Sequence, residues 1–245
     1  MNDTFIDSRT QLHWAVQAVA GVGRSLVAPR ADDSHSNLEW LRMNRALASN
    51  VVDEAGTRGA IRFRDLTLLI LEDRGLIEDE FPLQGRNIDD AFRFFEKYFG
   101  KPVRRPNQQE TLSKPAPESF DANLDDLATL DRLYDDADFV LNAFRAKRPN
   151  ASEVRCWPHH FDIATLQTFE GGNTIGAGFL GGDAQYREPY WYVTPYPYPN
   201  TTGKSYPPLS LGFWNTDGWF GAVLLGEHTR DEAARFLELA TGQFS

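Results

Sequence analysis

From residue 153 to residue 225 the hydrophobic pattern takes the two-residue period of β-strands, and no other feature constrains the fold as strongly. Candidate strands fall at 153–156, 161–169, 174–180, 190–194, 209–214 and 218–225, with Gly171-Gly172 and Asp217-Gly218 as two-residue turns. The chain before this stretch is mixed. Leu12, Ala15, Val16, Val19, Val22 and Leu26 recur at helical spacing, which predicts a first helix capped by Asp7 or Ser8 and ended by Pro29. Gly21 and Gly23 weaken that helix and so predict close packing against another element. Residues 37–49 and 60–72 read as a β-hairpin, and 73–85 as an acidic loop. Asn87 caps a helix that carries Phe92, Phe95 and Phe99 on one face and closes at Gly100. Asp121 caps a longer one, whose Leu124, Leu127, Leu130, Tyr134, Ala137, Leu141 and Phe144 share a face. A last helix spans 228–239, with Thr229 as its cap.

The expected class is therefore α+β: a mainly antiparallel sheet assembled from both halves, with helices packed against it. One integrated domain is expected over 1–245, with sub-parts 1–100 and 119–245 joined by a proline-rich linker at 101–118.

Charge narrows the partners. A net charge of −10 opposes binding to nucleic acid or to anionic membranes, both of which require clustered Lys and Arg. A single cysteine rules out an internal disulfide or a cysteine zinc cage; Cys156 could serve as a thiol nucleophile with His159 or His160 as base, but reads first as a buried structural residue. There is no charged leader with an apolar run and no transmembrane stretch, which sets the expectation of a cytoplasmic protein whose sequons at Asn150 and Asn200 are chance matches. The aspartates of the long helix (Asp125, Asp126, Asp131, Asp135, Asp136 and Asp138) read as a solvated acidic face.

The chemistry-bearing residues gather after residue 156. In Trp157-Pro-His-His-Phe-Asp162, an extended backbone places His160 and Asp162 on one face, the arrangement of two metal ligands or of an imidazole oriented by a carboxylate. A divalent metal is the cofactor this pair suggests. Glu188, an acid embedded in an apolar stretch, joins them as a candidate catalytic group. Trp157, His159, Tyr190, Tyr192, Trp214 and Asp217 add polar tips in an aromatic setting, the composition of a small-molecule pocket. The glycine-rich run 176–183 lacks the Lys-Ser/Thr of a phosphate loop and the G-x-G-x-x-G fingerprint, so a strand and tight turn explain it. The expected function is small-molecule binding in an aromatic pocket built from 157–219. Alternatives are a metal-dependent or acid/base hydrolase using His160, Asp162 and Glu188, and an interaction protein presenting the Tyr/Pro segment 190–199.

The motifs W-P-H-H-F-D (157–162), E-P-Y-W-Y-V-T-P-Y-P (188–197) and W-N-T-D-G-W-F-G-A-V (214–223) resemble those of an uncharacterised bacterial family, a domain of unknown function. The opening L-H-W-A-V-Q-A-V-A-G-V-G-R (12–24) is similar to its N-terminal part. The resemblance implies one integrated unit, and it brings no reaction, cofactor or site residue with it.

Overall fold

A computed structural model describes residues 1–106, 115–199 and 206–244. The sequon at Asn200 and the middle of the linker at 101–118 therefore lie outside the described residues. The class is α+β: four helices and eleven strands lie among the described residues, and the strands divide between two antiparallel sheets where the sequence led us to expect one. No described helix is long and apolar enough to cross a membrane.

Two compact units emerge, 1–135 with 155–161 and 136–154 with 162–245. In the first, helix α1 (Asp3–Leu26) begins five or six residues earlier than a cap at Asp7 or Ser8 implies, because the Asn2 side chain accepts the Phe5 amide and supplies the cap. The hairpin expectation was too small. Strands β1 (Glu39–Leu41), β2 (Ala46–Ala48), β3 (Arg58–Arg62), β4 (Thr67–Leu71) and β5 (Ile77–Pro82) follow one another in a five-stranded meander. Strand β5 occupies the acidic segment read as loop. As an edge strand it keeps charged side chains exposed, a pattern that shields edges from further pairing and disguises the strand in sequence. Helix α2 (Ile88–Phe99) has the expected Asn87 cap, in a full capping box with Asp90, and ends at Gly100 in the left-handed region. It packs on α1.

Helix α3 (Leu124–Ala146) runs through the division at Asp135. Its N-terminal amides at Asp125 and Asp126 bond to the Asn123 side chain, so Asn123 caps it where Asp121 was expected. The reading of its aspartates as solvated is corrected for three of them. Asp131, Asp135 and Asp138 are buried, and the first two clamp Arg45 at 2.5 and 2.7 Å. Trp40 Nε1 also donates to Asp135 at 3.1 Å. Apolar spacing alone does not reveal this, because the partners lie some 90 residues away in sequence.

Strand β6 (Arg155–Trp157) belongs to the first unit, where Cys156 and Leu38 bond backbone to backbone. In the second unit β7 (Asp162–Thr168), β8 (Thr174–Leu180), β9 (Tyr190–Tyr196), β10 (Phe213–Asn215) and β11 (Gly221–Leu225) take the order β10-β11-β9-β8-β7. Helix α4 (Arg230–Thr241), with Thr229 in a capping box, packs on β9 and β11 through a face that buries Ala233, Phe236, Leu237 and Ala240.

Candidate functional site

The Trp-Pro-His-His-Phe motif is a turn, and this alters the geometry expected of it. Residues 158–161 leave β6 in a tight turn that ends with Phe161 in the left-handed region, at φ 59°. Alternation therefore does not apply, and the extended reading that put His160 and Asp162 on one face is corrected. Helix α1 holds the turn. The Pro158 carbonyl accepts His13 Nε2 at 2.7 Å and Gln17 Nε2 at 2.6 Å. The Tyr134 hydroxyl donates to the Phe161 carbonyl at 2.5 Å, while the Phe161 ring stacks on both His13 and Tyr134. Burial drives His13 down to about 4, so its ring is neutral at pH 7, and donation to Pro158 puts the proton on Nε2.

This turn forms one wall of a cavity of about 520 Å³, lined by Arg24, Asp32, Asp33, His35, Ser36, Arg104, Arg105, Pro106, Trp157, Pro158 and His159. Two glycines let the other walls approach. A Cβ at Gly23 would stand 2.5 Å from the His35 carbonyl oxygen, and one at Gly21 would stand 2.8 Å from the Arg104 carbonyl oxygen. The close packing expected of these glycines is therefore what brings the 32–36 and 103–105 segments against α1, beside Arg24.

Gln17 links the turn to the cavity. Its Nε2 donates to Pro158 and its Oε1 accepts Arg24 Nη2 at 2.9 Å. Arg24 Nη1 is buried and has no hydrogen-bond partner among the described residues. Burial, and then the neighbouring Arg104 guanidinium, lower Arg24 to about 10, with Asp33 acting against both. Arg104 makes no ion pair among the described residues, whereas Arg105 is matched by Asp89 at 3.0 Å and Glu96 at 3.5 Å. His35 Nδ1 accepts the Arg30 amide, which leaves Nε2 as the protonated nitrogen of the neutral ring. His159 is exposed over much of its surface, yet crowding by protein atoms, then His160 and then Arg24, lower it to about 4. The cavity is therefore rich in hydrogen-bond donors.

The remaining sequence candidates lie elsewhere. His160 is exposed in the turn of the first unit, its ring 4.2 Å from that of His159. Asp162 opens β7 in the second unit, where it is buried and accepts the Tyr192 hydroxyl at 2.5 Å. Glu188, read as embedded, is exposed, because the 181–189 loop carries it out of the apolar face. Tyr190 is buried and donates to Asp183 at 2.7 Å. Asp183 also caps its own loop, accepting the Gln185 and Tyr186 amides. The Tyr192 ring lies over Gly178, where a Cβ would meet the hydroxyl at 2.5 Å, so this glycine of the 176–183 run makes room for a tyrosine. Trp214 stacks on Phe220 and donates to the Pro207 carbonyl, and Asp217 is exposed in the turn before β11. Tyr196 and Tyr198 are exposed. Among the described residues no three His, Cys, Asp or Glu side chains gather as a metal ion would require.

Of the sequence candidates, the cavity thus brings together Trp157 and His159. Sequence reading missed Arg24, Asp33, His35, Arg104 and Gln17, which come from separate parts of the chain. The only local signal was the pair of costly glycines just before Arg24. In comparisons with family models, curated proteins and solved structures, nothing matches this chain.

Proposed function

We propose that the protein binds a small molecule through an anionic group, carboxylate or phosphate, held in the cavity beside Arg24, Arg104, His35 and His159. The observation that carries this reading is the buried Arg24 Nη1 with no partner among the described residues, next to a second guanidinium, Arg104, that makes no ion pair among them. A buried charged donor left unsatisfied costs on the order of 1–3 kcal/mol, and like charges held together add to that cost. An oxyanion accepting from both guanidiniums removes both penalties, and Arg is the side chain best shaped for such an acceptor. Trp157 and Pro158 supply an apolar wall for the rest of the ligand, and the volume lies in the range of small-molecule pockets.

The test is a thermal-shift screen of small carboxylates and phosphates, followed by titration calorimetry on wild type, Arg104→Ala and Arg24→Gln. A ligand present at about a hundred times its Kd stabilises the fold by about 2.7 kcal/mol, a visible shift of the melting temperature. The exposed Arg104 can be replaced without loss of packing, so binding is expected to weaken at least tenfold while the protein keeps its stability. An unchanged melting temperature across the whole screen sinks the reading.

A further inference from the structure

We infer that the ligand of this cavity is a small zwitterion, its anionic end on Arg24 and Arg104 and its cationic end on Asp33. The inference rests on the anion-binding reading and adds the second charge.

The supporting observation is that opposite charges line one cavity without joining. Asp33 borders it alongside Arg24 and Arg104, and the Asp33 carboxylate makes no hydrogen bond or ion pair among the described residues. It lies close enough to act on both Arg24 and His159, yet it is bonded to neither. Exposed acids and bases near one another ordinarily collapse into pairs, as Arg105 does with Asp89 and Glu96 in the same wall. The backbone that carries Asp33 is itself held in place. Asp33 sits in the left-handed region at φ 56°, its carbonyl accepting both the amide and the hydroxyl of Ser36. The neighbouring Asp32 carboxylate is occupied by the Ser34 amide at 3.1 Å. Arg24 is in turn fixed by Gln17. The result is a set of donors and an acceptor that line one cavity without pairing, with Trp157 beside them. A simple anion satisfies only the donors and is repelled by Asp33. A molecule bearing a carboxylate or phosphate at one end and an ammonium at the other satisfies both.

The experiment compares matched pairs of probes: each common α-amino acid against the same acid without its amine, and phosphoethanolamine against ethyl phosphate. Affinities are measured by calorimetry on wild type and Asp33→Asn. Asn tolerates the left-handed backbone at least as well as Asp, so the variant keeps the loop. At least one zwitterion is expected to bind wild type about tenfold more tightly than its partner lacking the amine, and Asp33→Asn is expected to erase that ratio while leaving the plain anion bound equally well or better. If plain anions bind but no zwitterion exceeds its partner, or if Asp33→Asn leaves the ratio intact, the inference is overturned and the anion-binding reading stands. If nothing in either series binds, both fall.

Discussion

His13 shows how much one side chain can couple packing to pH. It lies between α1 and the 158–161 turn, stacked on Phe161 at 5.0 Å and donating to Pro158. Burial lowers it to about 4, below the 6.5 of an unfolded histidine. The neutral form is the one the fold accepts, so its contribution is fully present above pH 6.5 and is lost as pH falls toward 4. The shift corresponds to at most about 3 kcal/mol, reduced by the part of the residue that still reaches solvent. Chemical denaturation of wild type and His13→Gln at pH 7 and pH 4.5 is expected to show wild type losing stability on acidification by about 2 kcal/mol more than the variant. Equal losses would mean that protonation of His13 is not resisted by the fold.

At the scale of elements, Arg45 ties the β1–β2 hairpin to helix α3. It stands at φ 53° in the tight turn of that hairpin and reaches Asp131 and Asp135, and Asp135 also accepts from Trp40 and Arg42. Asp131 is raised by its burial in spite of Arg45, while Asp135, also desolvated, is lowered on balance by Trp40, Arg45 and Arg42. Removing the cation would leave two buried carboxylates facing one another. Arg45→Ala is therefore expected to cost about 2 kcal/mol at pH 7, and the deficit should shrink toward pH 5 as Asp131, left without its cation, protonates. Urea denaturation at the two pH values checks this, and a pH-independent deficit would argue for lost packing alone. The same network explains a misreading. A run of aspartates on a helix looks solvated until its arginines, distant in sequence, are placed.

Across the whole molecule the two units carry different kinds of polar organisation. In the second, three tyrosine hydroxyls of the sheet region are satisfied internally: Tyr192 by Asp162, Tyr190 by Asp183 and Tyr186 by Asn215. In the first, Arg24, Arg104 and Asp33 stand around a cavity with bonding capacity to spare. Hydrogen exchange with and without a ligand found in the screen is therefore expected to show new protection in the first unit, around residues 24–36 and 155–161, and little change in β7 to β11. Protection confined to the second unit would move the site to the tyrosine-lined sheet.

What the sequence determined by itself was local. Periodicity of apolar residues fixed the helices and most of the late strands, and short-range chemistry fixed the caps at Asn87 and Thr229 and the turns at Gly171-Gly172 and Gly218, since each of these depends on residues within a few positions. The packing glycines of α1 were legible too, though not what they packed against. Tertiary structure alone decided the division of strands into two sheets and the pairing of buried aspartates with Arg45. It also decided that residues 158–161 form a turn where an extended run was expected, and the assembly of Arg24, Asp33, Arg104 and His159 around one cavity. The physical reason is the same in each case. Charge pairing and cavity formation depend on distance in space between side chains that sequence spacing does not encode, and a polar residue reads as surface until the fold supplies its partner.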